Sequence, residues 1–220
     1  KKSLERYGYS AETFVNQVYY ITENFDIRYD LICKYGNFFK RIVYSLFCSQ
    51  IIFIKAIFRY QALYFYFNGC CLYNTYLLWR IEPGLYKIAR VKTVIMPYGG
   101  DVQDLTRCPN LLFRHTMSIS YPIHRMRRNT IAERIDLWTQ KGDYIISGCD
   151  WVYYMYYWDT LTLGHFSIDT KLWQPSYQAE ERTDKKIRIL HAPNHREIKG
   201  TKYFIEAIEE LQKLLYAEAA

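Results

Sequence analysis

The sequence contains no C-x-x-C pair. Its six cysteines (Cys33, Cys48, Cys70, Cys71, Cys108 and Cys149) are scattered through apolar segments, so their spacing gives a zinc site no support. No secretion signal opens the chain, and the thiols are expected to be reduced, as in a cytosolic protein. Cys70 and Cys71 are adjacent and are expected to be buried rather than reactive. A clean membrane-spanning run is also missing. Ile42–Ile54 is uncharged but well short of the roughly 20 residues a crossing helix needs. Tyr60–Trp79 is uncharged too, but Gln61, Asn68, Gly69, Asn74 and Thr75 interrupt it, which suits a buried strand and a loop better than a span. There is no internal repeat and no low-complexity tract. Hydrophobic residues make up 50% of the chain, which excludes a disordered protein.

What is present is length, aromatic surface and positive charge. The 220 residues suffice for one large domain, or for one domain and part of another. The formal net charge is +7 and the pI about 9.0. A basic excess suits an anionic partner (a nucleotide, an acidic membrane face or a nucleic acid) without choosing among them. The 23 tyrosines, some paired as in Tyr19-Tyr20, Tyr153-Tyr154 and Tyr156-Tyr157, read either as an aromatic ligand surface or as compositional drift in the encoding genome.

Along the chain, strand and helix signals alternate. Lys1–Arg6 reads as the tail of a helix stopped by Gly8, and Ala11–Val15 as a short strand. Phe25–Asp30 reads as a loop. Asn37–Arg59 is long and free of breakers, as a helix is. Ala62–Phe67 reads as a buried strand. A helical piece then runs toward Arg90, interrupted at Glu82-Pro83-Gly84. Val91–Met96 is a further strand, with a turn, Pro97-Tyr98-Gly99-Gly100-Asp101, directly after it. Paired glycines at the carboxyl end of a parallel strand allow close approach to a ligand; a plain turn explains them equally well. A helix is expected from Ile123 to Gln140, carrying His124, Arg125, Arg127, Arg128 and Arg134. Glu133 and Asp136 share it, so a solvated face is the simpler reading, with RNA contact the alternative. Asp143–Ser147 is a strand, Trp151–Trp158 a short helix, and Leu161–Leu163 a strand followed by a turn over 164–169. Lys171–Asp184 is polar and is the best domain boundary. The pattern as a whole predicts an α/β fold, a parallel sheet with helices on both faces.

Directly after the boundary comes Ile187-Arg188-Ile189-Leu190-His191-Ala192-Pro193-Asn194-His195-Arg196-Glu197-Ile198-Lys199-Gly200-Thr201. It reads as strand, basic loop and helix, with Thr201 as N-cap. The helix, from about Lys202, has Phe204, Ile208, Leu211 and Leu215 on one face. A helix start with Arg196 and Lys199 beside it suits a phosphate or diphosphate. The plain alternative is a surface loop with two solvated cations.

In this order the motifs resemble the GT-B glycosyltransferases, above all the large retaining family 4 (glycosyl transferases group 1). Four stretches carry the resemblance: Tyr98-Gly99-Gly100-Asp101-Val102, Asp143–Ser147, Ile168-Asp169-Thr170-Lys171-Leu172-Trp173-Gln174-Pro175, and the His191–Thr201 segment. They cover about Val91–Leu215. The resemblance implies a Rossmann-like acceptor-side domain over 1–175, a linker over 176–185 and the start of a donor-binding domain over 186–220. It implies that Arg196, Lys199 and Gly200 hold the diphosphate of a nucleotide sugar, and that Tyr98, Gly99, Gly100 and Asp101 line the cleft on the acceptor side. It implies transfer of a sugar from a nucleoside-diphosphate sugar to a glycan or lipid-linked acceptor, with retention, no metal and no cofactor. The nucleotide sugar is then a substrate, and nucleic acid is not a partner. The sequence departs from the family at Tyr98, where many relatives carry a histidine that contacts the reacting sugar, so no catalytic residue is assigned. The family's first strand and its paired glutamates have no counterpart here, so the chain is expected to be a piece of the enzyme, inactive by itself. The segment Lys40–Arg59 would suit peripheral contact with an acidic membrane, or simply a core helix. The rival function is a non-catalytic α/β module that binds a nucleotide or a glycan.

Overall fold

In the computed structural model, residues 1–15, 24–28, 38–163, 171, 174, 189–193 and 196–218 are described. The expected linker 176–185, the turn 164–169, most of the Asp169–Pro175 pattern, and Ile187, Arg188, Asn194 and His195 lie outside them. The elements in chain order are α1 (Lys2–Arg6), β1 (Phe14–Val15), β2 (Ile27–Arg28), α2 (Phe38–Arg59), β3 (Ala62–Phe65), α3 (Leu78–Ile88), β4 (Lys92–Ile95), α4 (Leu111–Ser120), α5 (Pro122–Met126), α6 (Arg128–Lys141), β5 (Tyr144–Gly148), a 3₁₀ turn (Cys149–Tyr153), β6 (Thr160–Thr162) and α7 (Thr201–Glu218). The fold is α/β: β1 and β2 pair in parallel, and a parallel four-stranded sheet in the order β3-β4-β5-β6 is accompanied by helices. The chain divides into two compact units, Lys1–Ile95 with Gln140–Asp143, and Met96–Thr139 with Tyr144–Ala220.

In the first unit, α1 ends as its glycine predicts. Gly8 sits at φ +83, its N–H bonds the Glu5 carbonyl, and the Tyr9 N–H bonds that of Leu4. Both are bonds of a Schellman cap. Helix α3 ends the same way with Arg90, φ +58, in the position glycine usually takes. The break expected at Glu82-Pro83-Gly84 does not occur, and α3 runs straight through Pro83. The proline removes one intrahelical donor, but Pro83 is buried with Trp79, Glu82 and Tyr86 on the helix's inner face, and packing outweighs the local cost. Helix α2 buries Ile52, Phe53 and Ala56. Strand β3 turns Leu63 and Phe65 inward while Tyr64 and Tyr66 stay largely exposed. The strand expected to be buried therefore has one wet face, and among the described residues it lies at the edge of the sheet. The Tyr86 ring, fully buried, lies 5.3 Å from that of Phe53 and 6.4 Å from that of Phe65.

The segment expected as a loop at Phe25–Asp30 contains β2. One device recurs at the strand starts. Asp26, just before β2, accepts from the N–H and hydroxyl of Thr13 at 2.7 and 2.8 Å. Asp143, just before β5, does the same with Thr93 at 3.0 Å for both bonds. Asp159, just before β6, accepts from the Ile145 N–H at 2.7 Å. An aspartate there satisfies a neighbouring backbone donor that the ladder has not yet reached. Burial alone would raise the Asp143 carboxyl, but hydrogen bonds from Lys92 and Thr93 hold it below its ordinary value.

The amino-terminal segment is tied down by charge. Glu12 accepts from Arg59 through two guanidinium nitrogens and from the Tyr60 hydroxyl at 2.7 Å. The Arg59 hydrogen bond, then that of Tyr60, lower the Glu12 carboxyl from 4.5 to about 2. A carboxyl depressed in the folded state contributes stability that is complete above its unfolded value and lost as pH falls through the folded one. We expect the segment around β1 to stay attached above pH 4.5 and to release as pH drops toward about 2. A pH titration of the Phe14 and Tyr60 ring resonances reads this directly. A transition centred above pH 4.5 would contradict it.

The second unit is built on α4–α6, β5 and β6. Its core holds Val102, Leu105, Met117, Ile131, Ile135, Trp138, Ile145 and Met155. The single helix expected over 123–140 is two, broken at Arg127, and Pro122 is the first residue of α5 rather than its predecessor. Helix α4, capped by the Asn110 side chain on the Phe113 N–H at 3.0 Å, has no counterpart in the sequence reading. The helix expected over Trp151–Trp158 shrinks to the 3₁₀ turn. Among the described residues no helix is long and apolar enough to cross a membrane.

Candidate functional site

Strand β4 ends at Ile95, and the chain turns at once through residues 96–101. Asp101 is buried, and its Oδ1 accepts from the backbone N–H groups of Tyr98 and Gly99, both at 3.0 Å. The Val102 N–H closes the turn on the Gly99 carbonyl at 3.1 Å. Asp101 thus holds the glycines in place by the side-chain-to-backbone bonding that favours aspartate in turns. Gly99 has φ +131, a conformation open to glycine and little else, and a Cβ there would come 3.7 Å from the Trp151 Nε1. At Gly100 an added Cβ would sit 3.3 Å from Cε1 of His124, so the ring would have to give way by a few tenths of an ångström. Tyr98, at the edge of the turn, is half exposed.

His124 was not singled out in the sequence. It counted there as one of several cations on a solvated helix face, and Arg125, Arg127 and Arg128 are indeed exposed. Its imidazole instead lies against the Gly100 backbone, half-buried, with a buried Nδ1 that has no hydrogen-bond partner among the described residues. Burial holds its pKa below the ordinary 6.5, so the ring is neutral at physiological pH. The signal that separates His124 from its basic neighbours is Tyr121-Pro122. The proline starts α5, and Tyr121 and His124, three residues apart, face each other edge-on with ring centroids 6.1 Å apart. The Tyr121 hydroxyl is raised first by burial and then by the charge of Glu197. Gly100, His124 and Tyr121 therefore lie side by side in the second unit, with the Glu197 charge acting on the Tyr121 hydroxyl.

Glu197 belongs to the basic loop. There the Gly200 N–H bonds the Glu197 carbonyl at 3.2 Å and the Thr201 N–H bonds that of Arg196 at 3.0 Å. Gly200 takes φ +68. Helix α7 begins at Thr201, with the Phe204 N–H on the Gly200 carbonyl. Thr201 is therefore inside the helix and is not its N-cap. Its hydroxyl pairs instead with Nε2 of His191 at 3.0 Å, and the His191 ring stacks on Phe204 at 4.6 Å. His191 is thereby clipped to the first turn of α7. The Arg196 and Lys199 side chains are exposed, and among the described residues neither side chain has an ion pair or a hydrogen bond. The described end of the expected strand, Ile189 and Leu190, is exposed and forms no ladder. The apolar face of α7 is half met: Phe204 and Ile208 are partly buried, while Leu211 is exposed.

No family model, curated protein or solved structure matches this chain. The site has to be read from its own residues. Tyr98, Gly99, Gly100 and Asp101 and the trio Arg196, Lys199 and Gly200 all fall in the second unit. One of these groups is a rigid, aspartate-braced glycine turn. The other is an exposed pair of cations at the start of a long helix. Chemically, the second offers two charges and a helix dipole to an anion. The first offers close backbone approach beside a neutral imidazole. Among the described residues, the one cluster with donor atoms for a cation is Cys70, Cys71 and Glu82, in the first unit.

Proposed function

We propose that this chain is part of a GT-B glycosyltransferase that moves a sugar from a nucleoside-diphosphate sugar to a glycan or lipid-linked acceptor, with retention. Supporting this reading are the Arg196 and Lys199 side chains, exposed and unengaged among the described residues, just before the first turn of α7. Two cations and a helix start stabilise the charge that grows on a leaving nucleoside diphosphate. Gly200, at φ +68, keeps that approach free of a side chain. Tyr98, Gly99 and Gly100 would form the acceptor side, with Asp101 bracing them. The transfer is proposed to need no metal, and no residue is assigned as catalytic.

The test is binding. UDP or GDP added to the chain should shift the amide resonances of Gly200, Lys202 and Tyr203. Arg196→Ala and Lys199→Ala should each weaken that binding roughly 10-fold or more, as loss of a charge-assisted hydrogen bond does. Shifts that spare this loop, or affinity unchanged in the double variant, would sink the reading.

A further inference from the structure

We propose that Cys70, Cys71 and Glu82 form a binding site for one soft divalent cation of the zinc class. The three donor atoms lie within 4.8 Å of one another, and all three residues are buried. The two sulfurs come from the turn after β3 and the carboxylate from the inner face of α3.

The carboxylate divides its work. Oε1 of Glu82 accepts from the N–H groups of Cys71 and Leu72 at 2.7 and 2.9 Å and from the Tyr86 hydroxyl at 2.8 Å. That oxygen accounts for the structural role, pinning the turn to the helix. Oε2 is buried and has no hydrogen-bond partner among the described residues. A buried oxygen of this kind is costly if left unpaired. A cation shared with the sulfurs would remove that cost.

The geometry also suits the metal. The Sγ atoms of Cys70 and Cys71 stand 3.6 Å apart. Two thiolates at a Zn–S distance of about 2.3 Å in a tetrahedral site are separated by roughly 3.8 Å. The thiols are free rather than joined as a disulfide. Gly69, at φ +104, lies beside the site: a Cβ there would stand 3.4 Å from Oε2, in ordinary contact, and 3.1 Å from the Tyr73 Cβ. On binding, the two thiol protons leave to solvent and both sulfurs coordinate as thiolates. The spacing rule that discounts zinc in the sequence looks for two cysteines separated by two residues and cannot detect a carboxylate brought in by a helix.

The experiment uses the full reduced chain. Native mass spectrometry should show one bound zinc, with loss of at least two protons. Cadmium should give a sulfur-to-metal charge-transfer absorption that saturates at one equivalent. Cys70→Ser with Cys71→Ser should abolish both. Glu82→Gln, which keeps an acceptor for the two N–H groups, should weaken affinity roughly 10-fold or more. In the wild-type chain under mild urea, zinc should protect Cys70 and Cys71 from maleimide while exposed Cys149 reacts throughout. This measurement holds even if the serine variant fails to fold. The proposal is overturned by no charge-transfer band, by a band that survives in the folded serine variant, by an absence of maleimide protection, or by a purified chain in which Cys70 and Cys71 are already joined.

Discussion

Replacing Glu82 with alanine should destabilise the first unit by about 3–5 kcal/mol. The side chain is fully buried, so water cannot replace what is lost. Three donors depend on one oxygen: the N–H of Cys71, the N–H of Leu72 and the hydroxyl of Tyr86. Each would be left buried without a partner, and a cavity would form where the carboxylate stood. Tyr86 anchors the aromatic core through Phe53 and Phe65, so a loosened hydroxyl also loosens the packing around it. Urea denaturation followed by tryptophan fluorescence, with Trp79 buried on the same helix, measures the loss. Glu82→Gln should cost far less, because its amide oxygen can accept the same three bonds. A loss below about 1 kcal/mol for the alanine variant would mean that the carboxylate is not holding the turn.

The second large effect is expected in the other unit. Gly148 pairs with Thr162 in the β5–β6 ladder. A Cβ at Gly148 would land on the Thr162 carbonyl oxygen and hydroxyl, well inside van der Waals contact. One of the obstructing atoms is backbone and cannot swing away, and the Thr162 hydroxyl already donates to the Ser147 carbonyl at 3.1 Å. Gly148→Ala should therefore force β6 off β5 and cost about 3 kcal/mol. The gap between the strands sets this cost, since the backbone of Gly148 is extended and suits any residue. Hydrogen exchange of the Thr160–Thr162 amides should rise sharply in the variant while that of β3 and β4 stays unchanged. Unaltered protection at β6 would refute the argument.

Much of the fold was legible where a local rule has little competition. Gly8 stops α1 because a left-handed residue is cheapest as glycine. The uninterrupted run to Arg59 made α2 readable, and the clusters Ala62–Phe65, Lys92–Ile95 and Tyr144–Gly148 made the strands readable. Where the reading failed, packing had overridden a local preference. Pro83 should break a helix, yet α3 buries it. Pro122 is a different case: it starts a helix by a local rule, because its missing N–H costs nothing at a first position. The break at Arg127 and the helix α4 leave no punctuation in the sequence that a proline or glycine rule would catch.

The same division holds at the candidate sites. From the sequence came the Tyr98–Asp101 turn, the loop with Arg196, Lys199 and Gly200 before a helix, and an alternating α/β pattern, because each depends on neighbours a few residues away. Tertiary structure alone decided that Thr201 bonds His191 instead of capping α7, and that His124 lies against Gly100. It also decided that Glu82 meets two cysteines across a turn. In each case the deciding contact depends on which face an element buries. Local rules cannot see that face, because it is chosen by the packing of elements distant in sequence.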